Sequence, residues 1–167
     1  SDGVVLGSYF IQNRSNIRFD ELAPNLVNAL IATEDIRFEN HSGVDFQGLL
    51  RVLFKTVLFG QGAGGGSTIT QQLAKNLFPR EDLSKIELII RKIKEWVIAV
   101  KLEKNYTKEE IVAMYFNTVE FGNNAFGIKS ASKTFFGVVP EKLEVQQSAV
   151  LVGLLKAPTW YNPVRNY

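Results

Sequence analysis

Apolar and polar positions along the chain repeat mostly with helical spacing. Pro24 opens a predicted helix through Leu26, Leu30 and Thr33, since proline suits the first turn. A greasy run from Leu49 to Phe59 carries Arg51 and Lys55 four apart, on one narrow side of a second helix. Ser67 or Thr68 begins a third helix, with Gln71, Gln72, Leu73 and Lys75. Pro79 and Asp82 mark a break before the fourth. Thr107-Lys108-Glu109-Glu110 is a capping box, in which hydroxyl and carboxylate each satisfy a free amide. A last helix is predicted from about Pro140 to Lys156, stopped by Pro158. Residues 3–12 read as a short strand, and Gly60 to Gly66 as a flexible loop. There is no internal repeat and no strand–helix alternation, so the expected class is mainly α.

The helix near 85–103 is apolar on two sides. At about 100° per residue, Ile86, Ile89, Ile90, Ile93, Val97 and Val100 share one stripe, and Leu88, Ile98, Ala99 and Leu102 share another. Two apolar sides predict a helix enclosed by protein. Arg91 and Glu95 lie on the second stripe, spaced i, i+4. They read either as a functional pair on a covered face or as an ordinary surface pair.

Composition narrows the chemistry. The 167 residues suit about one domain. A hydrophobic fraction of 46% with 22% charged residues excludes a mainly disordered chain. Nineteen basic against seventeen acidic residues leave a charge of +2, too small to point to nucleic acid. The absence of cysteine removes disulfides, thiolate zinc sites and cysteine nucleophiles, and the lone His41 cannot build a histidine cage. No run reaches the roughly 20 apolar residues that span a bilayer. The 49–59 segment reads either as a buried helix with snorkelling cations or as one lying in a lipid interface.

Two clusters offer chemistry. Gly60-Gln-Gly62-Ala-Gly-Gly65 formally matches a dinucleotide fingerprint but lacks the required βαβ unit, and Gly66 stands where a Walker lysine belongs. Amides at the following helix start, with the Ser67 and Thr68 hydroxyls and Lys75, could instead address phosphates. A plain surface linker is the alternative. In the second cluster, Glu34 to Asp45, Glu34 falls at a helix end. Shielded by Ile31, Ile36 and Phe38, its carboxyl could serve as a base. Asp35 could hold Arg37, His41 or loop amides, and solvated loop charges are the competing reading.

Taken together, the segments carry a resemblance. Glu34-Asp35-x-x-Phe38-x-x-His41-x-Gly43-x-Asp45 resembles the first signature of the peptidoglycan glycosyltransferases. Gly65-Gly66-Ser67-Thr68-Ile69-Thr70-Gln71-Gln72-Leu73-Ala74-Lys75-Asn76 resembles the second. Arg91-Lys92-x-x-Glu95 is similar to the third, and Lys108-Glu109-Glu110-Ile111-x-x-Met114-Tyr115-x-Asn117 to the fourth. Gly127-x-x-x-Ala131-Ser132-x-x-x-Phe136-Gly137 and Lys156-Ala157-Pro158 also fit, so the match runs in order along nearly the whole chain.

The resemblance implies a lysozyme-like helical fold spanning residues 1–167, with a larger head lobe and a membrane-facing lobe at roughly 45–66. It implies lipid II and a lipid-linked glycan as substrates, joined β-1,4 with inversion as undecaprenyl pyrophosphate leaves. Glu34 is then the general base and Glu95 the second carboxylate. The expected substrate-binding residues are Asp35, Phe38, His41, Ser67, Thr68, Gln71, Gln72, Lys75, Asn76, Arg91, Lys92 and Asn117, with Lys94 a further cation. Because Arg91, Lys92 and Lys94 flank Glu95, its expected task is to orient those cations or a divalent ion rather than donate a proton. Leu53, Phe54, Leu58 and Phe59 are the expected membrane contacts. No cofactor is obligatory, with room for Mg or Mn at the pyrophosphate. The expected location is the outer, periplasmic face of a bacterial cytoplasmic membrane, with an anchoring helix and any transpeptidase domain beyond this chain. A moenomycin-type inhibitor and cell-wall synthesis proteins are expected partners, and nucleic acid is not. The alternatives are a lysozyme-like hydrolase using Glu34 as acid, an inactive membrane-bound scaffold, and a dinucleotide-binding protein.

Overall fold

The computed structural model describes residues 16–59, 65–77 and 84–156, except the side chains of residues 53 and 56–59. Within them lie seven helices: α1 (Pro24–Glu34), α2 (Phe46–Phe59), α3 (Ile69–Asn76), α4 (Lys85–Asn105), α5 (Lys108–Thr118), α6 (Ile128–Phe136) and α7 (Val145–Lys156). Among the described residues the extended pairing is one isolated bridge, Glu120 with Phe126. The fold is mainly α, as the sequence implies. The expected strand at 3–12, the break at Pro79 and Asp82, Pro158 and the loop residues 60–64 lie outside the described residues.

Local chemistry sets the helix ends. Pro24 occupies the first turn of α1. The Thr68 hydroxyl accepts the Gln71 N–H at the start of α3. Thr107 and Glu110 form the reciprocal box that opens α5, and Ser84 with Glu87 does the same for α4. One boundary departs from expectation. Pro140 opens only a 3-10 turn, Pro140–Lys142. Buried Leu143 then takes an extended conformation into the core, so α7 starts at Val145.

Helix α3 is the centre of the arrangement, packed against both α4 and α5, while α1 packs against α7. Ile69 and Leu73 of α3, Ile111 and Phe116 of α5, and Leu26 and Leu30 of α1 are buried in one core. Polar ties join the same elements. Glu103 of α4 accepts the Thr70 hydroxyl at 2.6 Å and pairs with Lys108 of α5 at 2.8 Å. Lys108 also donates to the His41 carbonyl at 2.7 Å and lies 4.3 Å above the Phe38 ring. Gly43 lets the same loop press on α4: its φ is +95°, and a Cβ there would stand 2.7 Å from the Ala99 backbone.

The enclosure expected for α4 does not hold. Glu95 and Ala99 are buried, but the first stripe is open, with Ile86 72%, Ile89 63% and Ile93 54% exposed. The reason is geometric: α3 and the Gly43 loop cover one side of α4 and leave the other uncovered. Helix α2 is likewise open along Phe46, Leu50 and Phe54, three exposed residues at i, i+4 and i+8.

Candidate active site

The end of α1 sends two consecutive carboxylates to different places. Asp35 leaves the helix with φ −158° and ψ 71°, so its side chain no longer follows that of Glu34. It turns inward, accepting the Ile69 N–H at 3.0 Å and meeting His41 Nε2 at 3.0 Å. The Gly43 N–H donates to His41 Nδ1, which places the ring proton on Nε2, toward Asp35. The first amide of α3 is therefore already satisfied by an internal anion, and the Gln71 amide by Thr68. Two of the amides at this helix start are thus engaged within the fold.

Glu34 faces the other way, into a cavity of about 1460 Å³. Its Oε2 accepts the Gln72 amide N–H at 2.8 Å, and Gln72 Oε1 accepts the Tyr115 hydroxyl at 3.1 Å. Burial pushes the Tyr115 phenol well above its ordinary range, and the nearby charge of Glu34 adds to the effect. The hydroxyl thus stays protonated and available to donate. The apolar shield expected from Ile36 and Phe38 is not built: Ile36 is exposed, and Phe38 belongs to the core beneath the loop.

Glu34 shares this cavity with basic side chains. Arg91, Lys92 and Lys75 line it, together with Ser67 and buried Glu95. Lys92 Nζ bridges Glu95 at 3.0 Å and the Ser67 hydroxyl at 3.1 Å. Arg91 Nε stands 3.9 Å from the other oxygen of Glu95. The closer partner of Glu95 is thus the i−3 lysine rather than the i−4 arginine. Lys94 is exposed and does not line this cavity. Lys156, at the end of α7, does, although it was not among the expected site residues. A smaller cavity of about 250 Å³ shares Glu34, Ser67 and Lys156 with the first and adds Arg37 and Arg51.

The expected site residues therefore divide. Glu34, Ser67, Gln71, Gln72, Lys75, Asn76, Arg91, Lys92 and Glu95 converge on the large cavity. Gln71 is buried in its wall, with neither amide atom partnered among the described residues. Phe38, His41 and Asn117 line neither cavity. Phe38 fills the core, His41 clamps Asp35, and Asn117 exchanges two hydrogen bonds of 2.8 Å with the Ile17 backbone. Asp35 and Thr68 edge the smaller cavity, but their polar atoms bond within the framework. Of the expected membrane contacts, Phe54 is exposed on α2, while the side chains of Leu53, Leu58 and Phe59 lie outside the described residues. Among the described residues no three His, Asp or Glu side chains converge as a metal cage.

A helical domain whose cavity holds a carboxylate together with several cations fits enzymes that move an anionic leaving group. A family model described as Transglycosylase matches residues 2–167. Penicillin-binding protein 1A of Escherichia coli is 39% identical over 164 residues, covering 98% of this chain and 19% of its own length. Penicillin-binding protein 1F of Bacillus subtilis is 38% identical over 163 residues, 98% of this chain and 22% of its own. Penicillin-binding protein 2a of Streptococcus pneumoniae is 41% identical over 155 residues, 93% of this chain and 20% of its own. The chain belongs to the transglycosylase family. It spans about a fifth of the length of these relatives.

Proposed function

We propose that the domain polymerises lipid II. The growing lipid-linked glycan is the donor, and the 4-hydroxyl of a lipid II GlcNAc is the acceptor. Glu34 takes the hydroxyl proton as the new β-1,4 bond forms. The bond from the anomeric carbon to the α-linked pyrophosphate breaks on the opposite face, and the proton remains on Glu34. Lys75, Arg91 and Lys92 neutralise the departing undecaprenyl pyrophosphate. Glu95 holds Lys92 and Arg91 in register and gives no proton. A high-pH limb in the rate profile, abolished by Glu95→Gln, would give it that proton instead. Glu95 is turned to two cations, and among the described residues no three His, Asp or Glu side chains converge on it, so the steps above are written with the chain's own cations.

The observation that carries the reading is that one cavity holds both Glu34, bonded by the Gln72 amide, and the cations Lys75, Arg91 and Lys92. A hydrolase acting on finished glycan displaces a neutral sugar and has no use for such cations. The open apolar faces of α2 and α4, with Arg51 and Lys55 beside Phe54, support a membrane-facing lobe at roughly 45–66 and work at the outer, periplasmic face of the membrane.

Labelled lipid II incubated with the protein should give a ladder of glycan strands on a gel, suppressed by a moenomycin-type phosphoglycolipid and absent with Glu34→Gln. Digestion of finished peptidoglycan without polymer formation, or full turnover by Glu34→Gln, would overturn the reading.

A further inference from the structure

We propose that Tyr115 and Gln72 are positioning residues that hold Glu34 Oε2 and leave Oε1 as the atom that takes the proton. The proposal rests on the reading of Glu34 as the base.

A glutamine amide is two-ended: its oxygen only accepts and its nitrogen only donates. Tyr115 is 1% exposed and its hydroxyl lies 3.1 Å from Gln72 Oε1. A buried hydroxyl that donates into this oxygen fixes which way the amide faces. The amino end is then aimed at Glu34, 2.8 Å from Oε2. The three groups come from three elements, α5, α3 and the end of α1, so the relay reports the packing of the core directly to the carboxylate. Oε1 has no hydrogen-bond partner among the described residues and is the oxygen free to meet the sugar hydroxyl. Glu34 is only half-buried at the end of its helix, and its long side chain would otherwise sample several rotamers. Misplacing a reacting group by about 1 Å can cost about a hundredfold in rate. Gln72 lines the cavity, yet its two polar ends are engaged within the protein. The relay therefore gives Gln72 a role other than the substrate contact expected from its motif.

The test is a double-mutant cycle read in steady-state polymerisation of labelled lipid II. Gln72→Met keeps the bulk of the side chain and removes both hydrogen bonds, while Tyr115→Phe removes only the group that orients the amide. Each should lower kcat, by about tenfold to a hundredfold, with KM for lipid II within about twofold. The double variant should be no slower than Gln72→Met alone, because Tyr115 acts only through Gln72. Wild-type kcat in either variant, fully multiplicative losses, or a rise in KM at constant kcat would overturn the proposal. Thermal melts identify a variant that fails to fold; if Tyr115→Phe is lost in this way, the kcat-against-KM split of Gln72→Met decides. Glu34→Gln is measured alongside. Turnover by Glu34→Gln sinks the base reading, whereas an inactive Glu34→Gln beside fully active Gln72→Met and Tyr115→Phe sinks the relay alone.

Discussion

Replacing Lys108 by Met removes one charge from a place where its partner cannot reach water. Glu103 is 5% exposed at its side chain and Lys108 22%, with 2.8 Å between the charged atoms. At an effective dielectric of about 20 that separation corresponds to about 6 kcal/mol of gross attraction. Much of it is offset by desolvation, so the pair itself adds little net stability. Removing only the lysine is different. The Glu103 carboxylate stays buried with the Thr70 hydroxyl as its remaining partner, and the His41 carbonyl loses a donor. Breaking a buried pair in this way costs about 3–5 kcal/mol. Glu103→Gln added to Lys108→Met should restore more than half of the loss, since no buried charge then lacks a counterion. Urea unfolding at neutral pH, followed by circular dichroism, measures both variants and the wild type. A loss below about 1 kcal/mol in Lys108→Met, or a double variant no more stable than the single, would refute the reasoning.

Two further outcomes follow from the surface and from the loop. Leu50→Ser combined with Phe54→Ser should lower partitioning to anionic vesicles without lowering the melting temperature, because both side chains are exposed; unchanged sedimentation with vesicles would remove α2 from the membrane contact. Burial alone would raise the Asp45 carboxyl, but the hydrogen bonds from Arg37 and the Gly48 N–H, with the Arg37 charge, hold it below its ordinary 3.8. A depressed carboxyl contributes stability above the unfolded-state value that is lost as pH falls through the folded-state value. Asp45→Asn should therefore cost about 1 kcal/mol at pH 7, and the gap from wild type should close below about pH 4; a gap unchanged at pH 3 would exclude the linkage.

Much of the helical frame could be read from short-range chemistry. Pro24, Thr68, and Thr107 with Glu110 mark helix starts through groups one to three residues apart, and the structure starts α1, α3 and α5 there. The family resemblance likewise singled out Glu34 and Glu95, and both line one cavity. What periodicity could not give was which side of α4 receives a neighbour. Both stripes are apolar, and only packing distinguishes the Ala99 side from the Ile86–Ile93 side. The relay and the Thr70–Glu103 bond were hidden for a related reason, as their partners stand 33 to 43 residues apart along the chain. Tyr115 did leave a trace: a tyrosine beside Ile111 and Val112 on a buried helix face needs a partner for its hydroxyl.

The inward turn of Asp35 changes how loss-of-function data on this enzyme should be interpreted. Neutralising that side chain, or shortening His41, would leave every charge lining the large cavity in place but release the first turn of α3, and with it the helix that presents Gln72 and Lys75. A colony screen would score such a protein as catalytically dead, indistinguishable from one lacking the base. The defect would lie in scaffolding, and a compensating change that re-anchors α3 could revive it without touching the chemistry.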